Sequence, residues 1–278
     1  MQVGCREWHF VCSGCGLERS TLEPRINALH TIDEIDREKA LAPIRDQNFG
    51  VLLRWIGKVV DPQATTARRP RLLDVGCAHG WFVEKALETY DALGLEPDEA
   101  IATRALARNL PVRSGYFPQA LRDDERFDVI VFNDVLEHIP GVVGVLKGCA
   151  AHLAQGGIVV VNAPDRRGLF YRLSKVFCRL GRSASFDRMW QVGMPSPHLY
   201  YFDTRSLGKA ANAAGFDLIA ERTLSSIVTR GLYARIRYAG NVSSARAALL
   251  TAAITLGVPL IRLFHSDISV WMLSKRGA

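Results

Sequence analysis

The chain has 278 residues, 48% hydrophobic and 23% charged, a balance that excludes a disordered, collagenous or coiled-coil protein and allows one large core with a small appendage. Its net charge of +7 is unevenly divided: residues 1–163 hold 18 basic and 22 acidic side chains, residues 164–278 hold 17 and 6. The second half is expected to face an acidic ligand, a nucleic acid or a membrane surface.

The opening MQVGCREWHF places Arg6 and Glu7 where a signal peptide needs an apolar run. Six cysteines without such a signal indicate a cytoplasmic protein with reduced thiols, either free in the cytoplasm or peripheral to the inner face of the membrane. Residues 1–44 read as a cysteine-containing extension and 45–278 as the main domain. Cys12-Ser-Gly-Cys15 is half of a zinc knuckle, with Cys5 and His9 the nearby partners. An inert remnant or an oligomer-mediated site fits this incomplete set better than a bound zinc, and no metal ligand set is assigned.

From Arg71 onward, apolar runs of strand length alternate with helical patterns, the signature of a doubly wound α/β domain with a Rossmann-like sheet. The spacing predicts strands at 71–75 and 92–95 and helices over 81–90 and 98–109. FDVIVFN (127–133) reads as a strand covered on both faces. A helix is predicted over 134–154, then a Gly156-Gly157 turn and the strand IVVVN (158–162).

Residues 164–200 break the alternation. There Leu169, Phe170, Leu173, Val176, Phe177 and Leu180 share one helical face, which is expected to dock as a lid. Arg166, Arg167, Arg172, Lys175, Arg179, Arg182 and Arg188 are set against only Asp165 and Asp187, as in a surface that holds an anionic or lipid-linked acceptor, or in a solvated basic face. A helix over 204–214 ends at Gly215, a strand begins at 216, and 267–275 forms the last strand. The insertion 240–264 before it is helical. Its uncharged stretch 247–261 would rise about 22 Å, short of the roughly 30 Å hydrocarbon core, so a buried or surface-lying helix is expected.

Two segments carry the chemistry. LLDVGCAHGWF (72–82) is strand, acidic residue, glycine turn and helix: Gly76 and Gly80 allow a tight turn and close ligand approach. Asp74 beside that turn suits a cationic or hydroxylated ligand and is poor chemistry for a pyrophosphate. GLEPDEA (94–100) ends the next strand on Glu96, where a carboxylate can accept both ribose hydroxyls. The pair predicts an adenosine-containing cofactor other than NAD.

With FDVIVFNDVLEHIP and HLYYFDTRSL, these segments resemble the class I S-adenosylmethionine-dependent methyltransferases, and within them the sequence is similar to the ubiquinone-biosynthesis O-methyltransferases. The resemblance implies a seven-stranded sheet with an antiparallel last strand inserted near the edge. It also implies S-adenosyl-L-methionine as cofactor, its methionine part lined by Asp74, Gly76, Cys77 and Gly80, its ribose held by Glu96 and its amino-acid moiety met by Asn133. Ala78 stands where the family usually has the middle glycine. SGYFPQAL lacks the acidic residue near adenine, so Tyr116 or Phe117 is expected to pack there instead.

Asp134, Glu137 and His138 stand at i, i+3 and i+4, which reads as a capping box, as a divalent-metal or substrate cluster, or as both. His138 and His198 are the candidate bases for an O-methylation. The expected partner is a small-molecule acceptor, an oxygen of a sugar, lipid-linked or secondary-metabolite intermediate, with peripheral membrane contact as a further expectation. A nucleic-acid methyltransferase is the alternative prompted by the basic half, and NDVL (133–136) departs from the NPPY-type tetrapeptide of that class. A non-catalytic binding protein that keeps the fold is the third reading.

Overall fold

The computed structural model describes residues 1–25, 34–60, 68–238 and 242–277. In chain order the elements are β1 (Gln2–Val3), β2 (His9–Val11), β3 (Glu18–Ser20), α1 (Glu34–Ile56), β4 (Arg71–Val75), α2 (Trp81–Ala86), β5 (Asp91–Glu96), α3 (Glu99–Ala107) and β6 (Val112–Ser114). There follow β7 (Phe127–Asn133), a 3-10 turn (Leu136–His138), α4 (Val142–His152), β8 (Leu153–Pro164), α5 (Leu169–Arg179), α6 (Ala184–Met189) and β9 (Tyr200–Tyr201). The chain closes with α7 (Thr204–Ala213), β10 (Phe216–Leu224), α8 (Leu232–Tyr238), α9 (Ser244–Ile261) and β11 (Ile268–Lys275).

The main sheet has seven strands in the order β10-β11-β8-β7-β4-β5-β6. Strand β11 runs antiparallel to both neighbours, as the resemblance implied, while β8, β7, β4, β5 and β6 are parallel. Because strand side chains alternate, β7 feeds both cores: Ile130 and Phe132 enter one cluster with Leu146 and Trp271, and Val129 and Val131 enter the other with Leu52 and Phe82. An apolar run with no polar alternation is what burial on both faces requires.

The helix predicted over 134–154 is broken. Asp134 has a left-handed φ of 57° and Pro140 cannot continue a helix, which leaves Ile139 extended. Only a 3-10 turn forms at Leu136–His138, with no side-chain cap, so the capping box is absent, and α4 starts after Gly141 at φ 75°.

The extension and the insertion are one unit in space. Strand β3 pairs antiparallel with β9, so β1, β2 and β3 extend the insertion's strand into a four-stranded sheet. Beneath it, Trp8 joins Tyr171, Phe186, Trp190 and Tyr201 in a third core. Glu18, 1% exposed, holds the unit together: it accepts from His9 Nε2 at 2.7 Å, Tyr171 OH at 2.7 Å, Lys175 Nζ at 2.6 Å and Arg166 Nη1 at 3.4 Å. Burial alone would raise this carboxyl, but the hydrogen bonds and the lysine charge outweigh it and bring the pKa down to about 2.

Two expectations for the basic half change. Arg166 pairs with Asp203 at 2.7 Å, Arg167 bridges Asp165 and Glu221, and Lys175 is held by Glu18, so three of the seven insertion cations serve internal ion pairs. Helix α5 also sits the other way round from the docked lid predicted: it buries Tyr171, Ser174 and Cys178, while Leu173, Val176, Phe177 and Leu180 are exposed. Polar and aromatic residues face inward because Glu18 and the ring cluster are there to receive them. Of the two forms expected for the α9 segment, buried or surface-lying, the helix is the exposed one, with Ala247 and Val258 its buried residues. The first residues of the expected insertion, 240 and 241, lie outside those described.

Candidate functional site

Doubly wound sheets open a crevice at the carboxyl ends of their strands, beside the point where strand order reverses. Here that point lies between β4 and β7, and a cavity of about 120 Å³ opens there. Asp74, Gly76, Cys77 and Ala78 from the end of β4 form one wall, and Asn133 and Asp134 from the end of β7 form another. His79, Trp81 and Phe82 at the start of α2, with Arg45 and Phe49 of α1, close the rest.

The β4–α2 loop is held open by backbone geometry. Gly76 has φ 70°, and a Cβ there would lie 2.7 Å from Val135 Cγ2, so both conformation and space demand glycine. Its N–H and that of Cys77 donate to Leu95 O at 2.8 and 2.9 Å. Glu96 completes the loop: Oε2 accepts from Ala78 N–H at 2.8 Å and Oε1 from Asp98 N–H at 2.9 Å. Both oxygens are thus engaged by the backbone of the loop they support.

The electrostatics of the cavity are those of a cation site. Asp74 is 2% exposed and its Oδ1 has no hydrogen-bond partner. Burial pushes its carboxyl well above the usual range, and the charge on Glu96 pushes it further. Burial, with Asp74 and Glu96, also raises the Cys77 thiol, which stays neutral and is no nucleophile. Asn133 is oriented by Asn162, whose Nδ2 donates to Asn133 Oδ1 at 2.6 Å. A buried, unsatisfied carboxylate in a glycine-walled crevice fits the positive sulfonium and amino groups of an S-adenosylmethionine-type ligand.

Next to the crevice, the 3-10 turn gathers Glu137, His138 and His198. The imidazoles of His138 and His198 meet at a tilt of 57° with centroids 4.7 Å apart, and Leu199 N–H ties the insertion to Glu137 O at 2.8 Å. His138 donates Nδ1–H to Pro197 O at 2.9 Å, which makes Nε2 the basic nitrogen; it lies 3.8 Å from Glu137 Oε1. His198 Nε2 meets Gln191 Nε2 at 2.9 Å and is therefore the acceptor of that amide N–H. Glu137 is fully buried, with both oxygens lacking hydrogen-bond partners; burial, then the Asp134 charge, pushes its carboxyl well up. Ligand atoms of Glu137, His138 and His198 lie within 4.8 Å of one another, close enough to share a divalent cation. Asp134 belongs instead to the crevice wall, where Arg45 faces it.

Asp74, Gly76, Cys77 and Asn133 thus reach one cavity, Glu96 supports it from behind, and His138 and His198 come together beside it. Gly80 and Phe117 do not reach it. Gly80 begins α2 at φ 75°, packed toward Leu110. Phe117 lies against Phe132 and His152 in the core beneath α4, and Tyr116 is exposed, so neither is positioned as an adenine platform. Arg45, Phe49, Trp81 and Phe82 were not foreseen; the aromatic pair directly after the glycine turn was the available signal. At the other end of the molecule, Cys12 and Cys15 share a tight turn in which backbone and thiol of Cys15 lower the Cys12 thiol to about 7. Their expected companions are engaged elsewhere, His9 on Glu18 and Cys5 beside Cys178, so among the described residues no zinc set is assembled.

Comparison with known proteins agrees with this geometry. The methyltransferase domain family matches residues 44–221. The chain is 30% identical over 151 residues to a ubiquinone biosynthesis O-methyltransferase of Pseudomonas syringae pv. tomato, covering 51% of this chain and 62% of that protein. It is 30% identical over 104 residues to the enzyme of the same name from Vibrio vulnificus, covering 34% and 44%. The matched part is therefore less than two thirds of these relatives' length. Among solved structures, a SAM-dependent methyltransferase from Archaeoglobus fulgidus superposes with a TM-score of 0.56 at 16% identity, covering 88% of this chain and 100% of that one. That likeness establishes the shared fold.

Proposed function

The chain belongs to the methyltransferase domain family, and from that premise we propose that it moves the methyl group of S-adenosylmethionine to an oxygen of a small-molecule acceptor. The observation that carries the cofactor reading is the buried Asp74 carboxyl, unsatisfied at Oδ1 in the wall of the crevice. The bound sulfonium would supply an already activated methyl group, so the work left to the protein is alignment, exclusion of water and management of one proton. Asp74 and Asn133 would take the positively charged end, Glu96 the ribose hydroxyls, and the walls made by Phe49, Trp81 and Phe82 would keep water from the reacting atoms.

Proton management falls to His138. Its tautomer is set by Pro197 O, and its Nε2 would accept the acceptor's hydroxyl proton while Glu137 stabilises the imidazolium that results. His198 acts through His138, against whose ring it packs at a tilt, and so positions it. The oxygen acceptor is also suggested by the named activity of the curated relatives. With three insertion cations occupied internally, the exposed Arg172, Arg179, Arg182 and Arg188 remain for an anionic or lipid-linked acceptor.

Calorimetry with S-adenosylhomocysteine tests the cofactor reading. We expect micromolar binding to the intact chain, weakened about a hundredfold in Asp74→Ala through loss of charge-assisted contacts worth about 1.5–3 kcal/mol. No binding by the wild-type protein would overturn it. For the base, His138→Gln should lower kcat about a hundredfold across a panel of phenolic and sugar acceptors with cofactor affinity unchanged.

A further inference from the structure

The strongest feature outside the crevice is α9. From residue 222 to residue 266 the chain contains no Asp, Glu or Lys and six arginines. Within that stretch α9 is capped by Ser243, whose side chain accepts from Arg246 N–H. At 3.6 residues per turn, the buried Ala247 and Val258 lie on one line, which is the face that rests on the protein. Leu249, Leu256 and Leu260, and Leu263 just past the helix, fall on the opposite side within an arc of roughly 60°. They are 70%, 82%, 63% and 80% exposed.

This stripe is joined by a second. Asp267, which ends the segment after α9, caps α5 by accepting from Phe170 N–H at 3.2 Å and Tyr171 N–H at 2.8 Å. Leu169 N–H donates to His265 O at 3.1 Å. The N-terminus of α5 therefore sits beside the segment that follows α9, and the outward face of α5 carries Phe177 and Leu180. Exposed arginines accompany both: Arg246 on α9 and Arg262 at its C-cap, Arg172, Arg179 and Arg182 on and just after α5. Soluble surfaces rarely present contiguous apolar stripes of this kind without a partner.

We propose that α9, together with the outward face of α5, is a docking surface for an anionic lipid bilayer, on which the protein lies peripherally. Charge selects the occupant. A second copy of this chain would bring the same arginines against themselves with no acid between residues 222 and 266 to offset them, whereas a leaflet bearing phosphate and net negative charge offsets all of them and takes up the leucines. Eighteen residues rise about 27 Å, so α9 is long and apolar enough to cross a membrane. Its two ends nevertheless return to one body, through contacts with α8 on one side and through β11 within the main sheet on the other, which favours a helix lying in the interface.

Co-sedimentation of the full chain with vesicles tests this independently of cofactor binding. Wild-type protein is expected to sediment with phosphatidylcholine vesicles containing phosphatidylglycerol and to bind pure phosphatidylcholine more weakly. Leu256→Asp with Leu260→Asp should lower the partition about tenfold or more. Arg246→Gln with Arg262→Gln should lower it on anionic vesicles and leave it unchanged on neutral ones. All these positions are exposed, so circular dichroism and melting should match wild type. Wild-type protein left in the supernatant with anionic vesicles overturns the proposal, as does unchanged sedimentation of the leucine variant. So does a concentration-dependent dimer in ultracentrifugation that the leucine variant dissolves, which would assign the surface to a second copy.

Discussion

Asp74 and Glu18 are both carboxylates removed from water, yet their surroundings differ in kind. Glu18 lies at the joint between the extension and the insertion, where four donors from β2, α5 and the loop after β8 converge on it and draw its pKa to about 2. Asp74 lies in the crevice wall with an unsatisfied oxygen and a like charge nearby, and its pKa goes up. The first carboxylate is satisfied by the fold and maintains it; the second is costly to the fold and becomes satisfied only by a ligand. A buried charge thus reports structure when its partners are internal and function when they are missing.

The contrast can be broken most forcefully at Glu18. Glu18→Ala should cost about 3–5 kcal/mol of stability, because Lys175 is left without its counter-charge and the buried His9 and Tyr171 donors without their acceptor. Chemical denaturation would measure it, with affinity for S-adenosylhomocysteine little changed in the folded fraction. Asp74→Ala should do the reverse, leaving unliganded stability within about 1 kcal/mol of wild type or raising it while binding is lost. Equal destabilisation by both substitutions would remove the distinction.

Acid should separate the two sites next. The Glu18 pKa is depressed in the folded state, so its contribution is present above the unfolded value near 4.5 and is lost as pH falls toward 2. The full contribution is about 3 kcal/mol, and Glu18→Gln should flatten the melting profile between those limits. The smallest expected signal comes from Asp74. Its raised pKa must fall when a sulfonium settles beside it, so S-adenosylmethionine binding should release a fraction of a proton, more as pH is lowered. Calorimetry in buffers of different ionisation enthalpy reads that fraction, and Asp74→Asn should abolish it.

Much of the sheet was legible because its signals are local. RLLDV and FDVIVFN are strands at the predicted limits, and DISVWMLSK is the antiparallel last strand, since uninterrupted apolar runs have few alternatives. The crevice was legible for the same reason: Asp74, Gly76 and Asn133 stand at strand ends that the pattern marks. Phe117 lies toward Phe132 and His152 instead of in that cavity, because adjacency to a strand end does not tell which way an aromatic ring turns. The break at Asp134–Gly141 followed from Pro140 and was available to a closer reading. What sequence patterning could not supply was partnership across distance. The stripe on α5 looks like a buried face until Tyr171, Ser174 and Lys175 are seen meeting Glu18 and the ring cluster, and basic residues look free until their acids arrive from β3, β10 and the start of α7.

The pairing of β3 with β9 has a consequence for how the chain is made. The strand partner of Glu18 is Tyr201, so residues 1–20 cannot complete their sheet until about 180 further residues have left the ribosome. At 5–20 residues per second that is a delay of roughly 10–40 s. During it β3 has one edge uncovered and Trp8 lacks the aromatic partners that come from α5, α6 and β9. The extension is thus secured only once the strand around Tyr201 has been made.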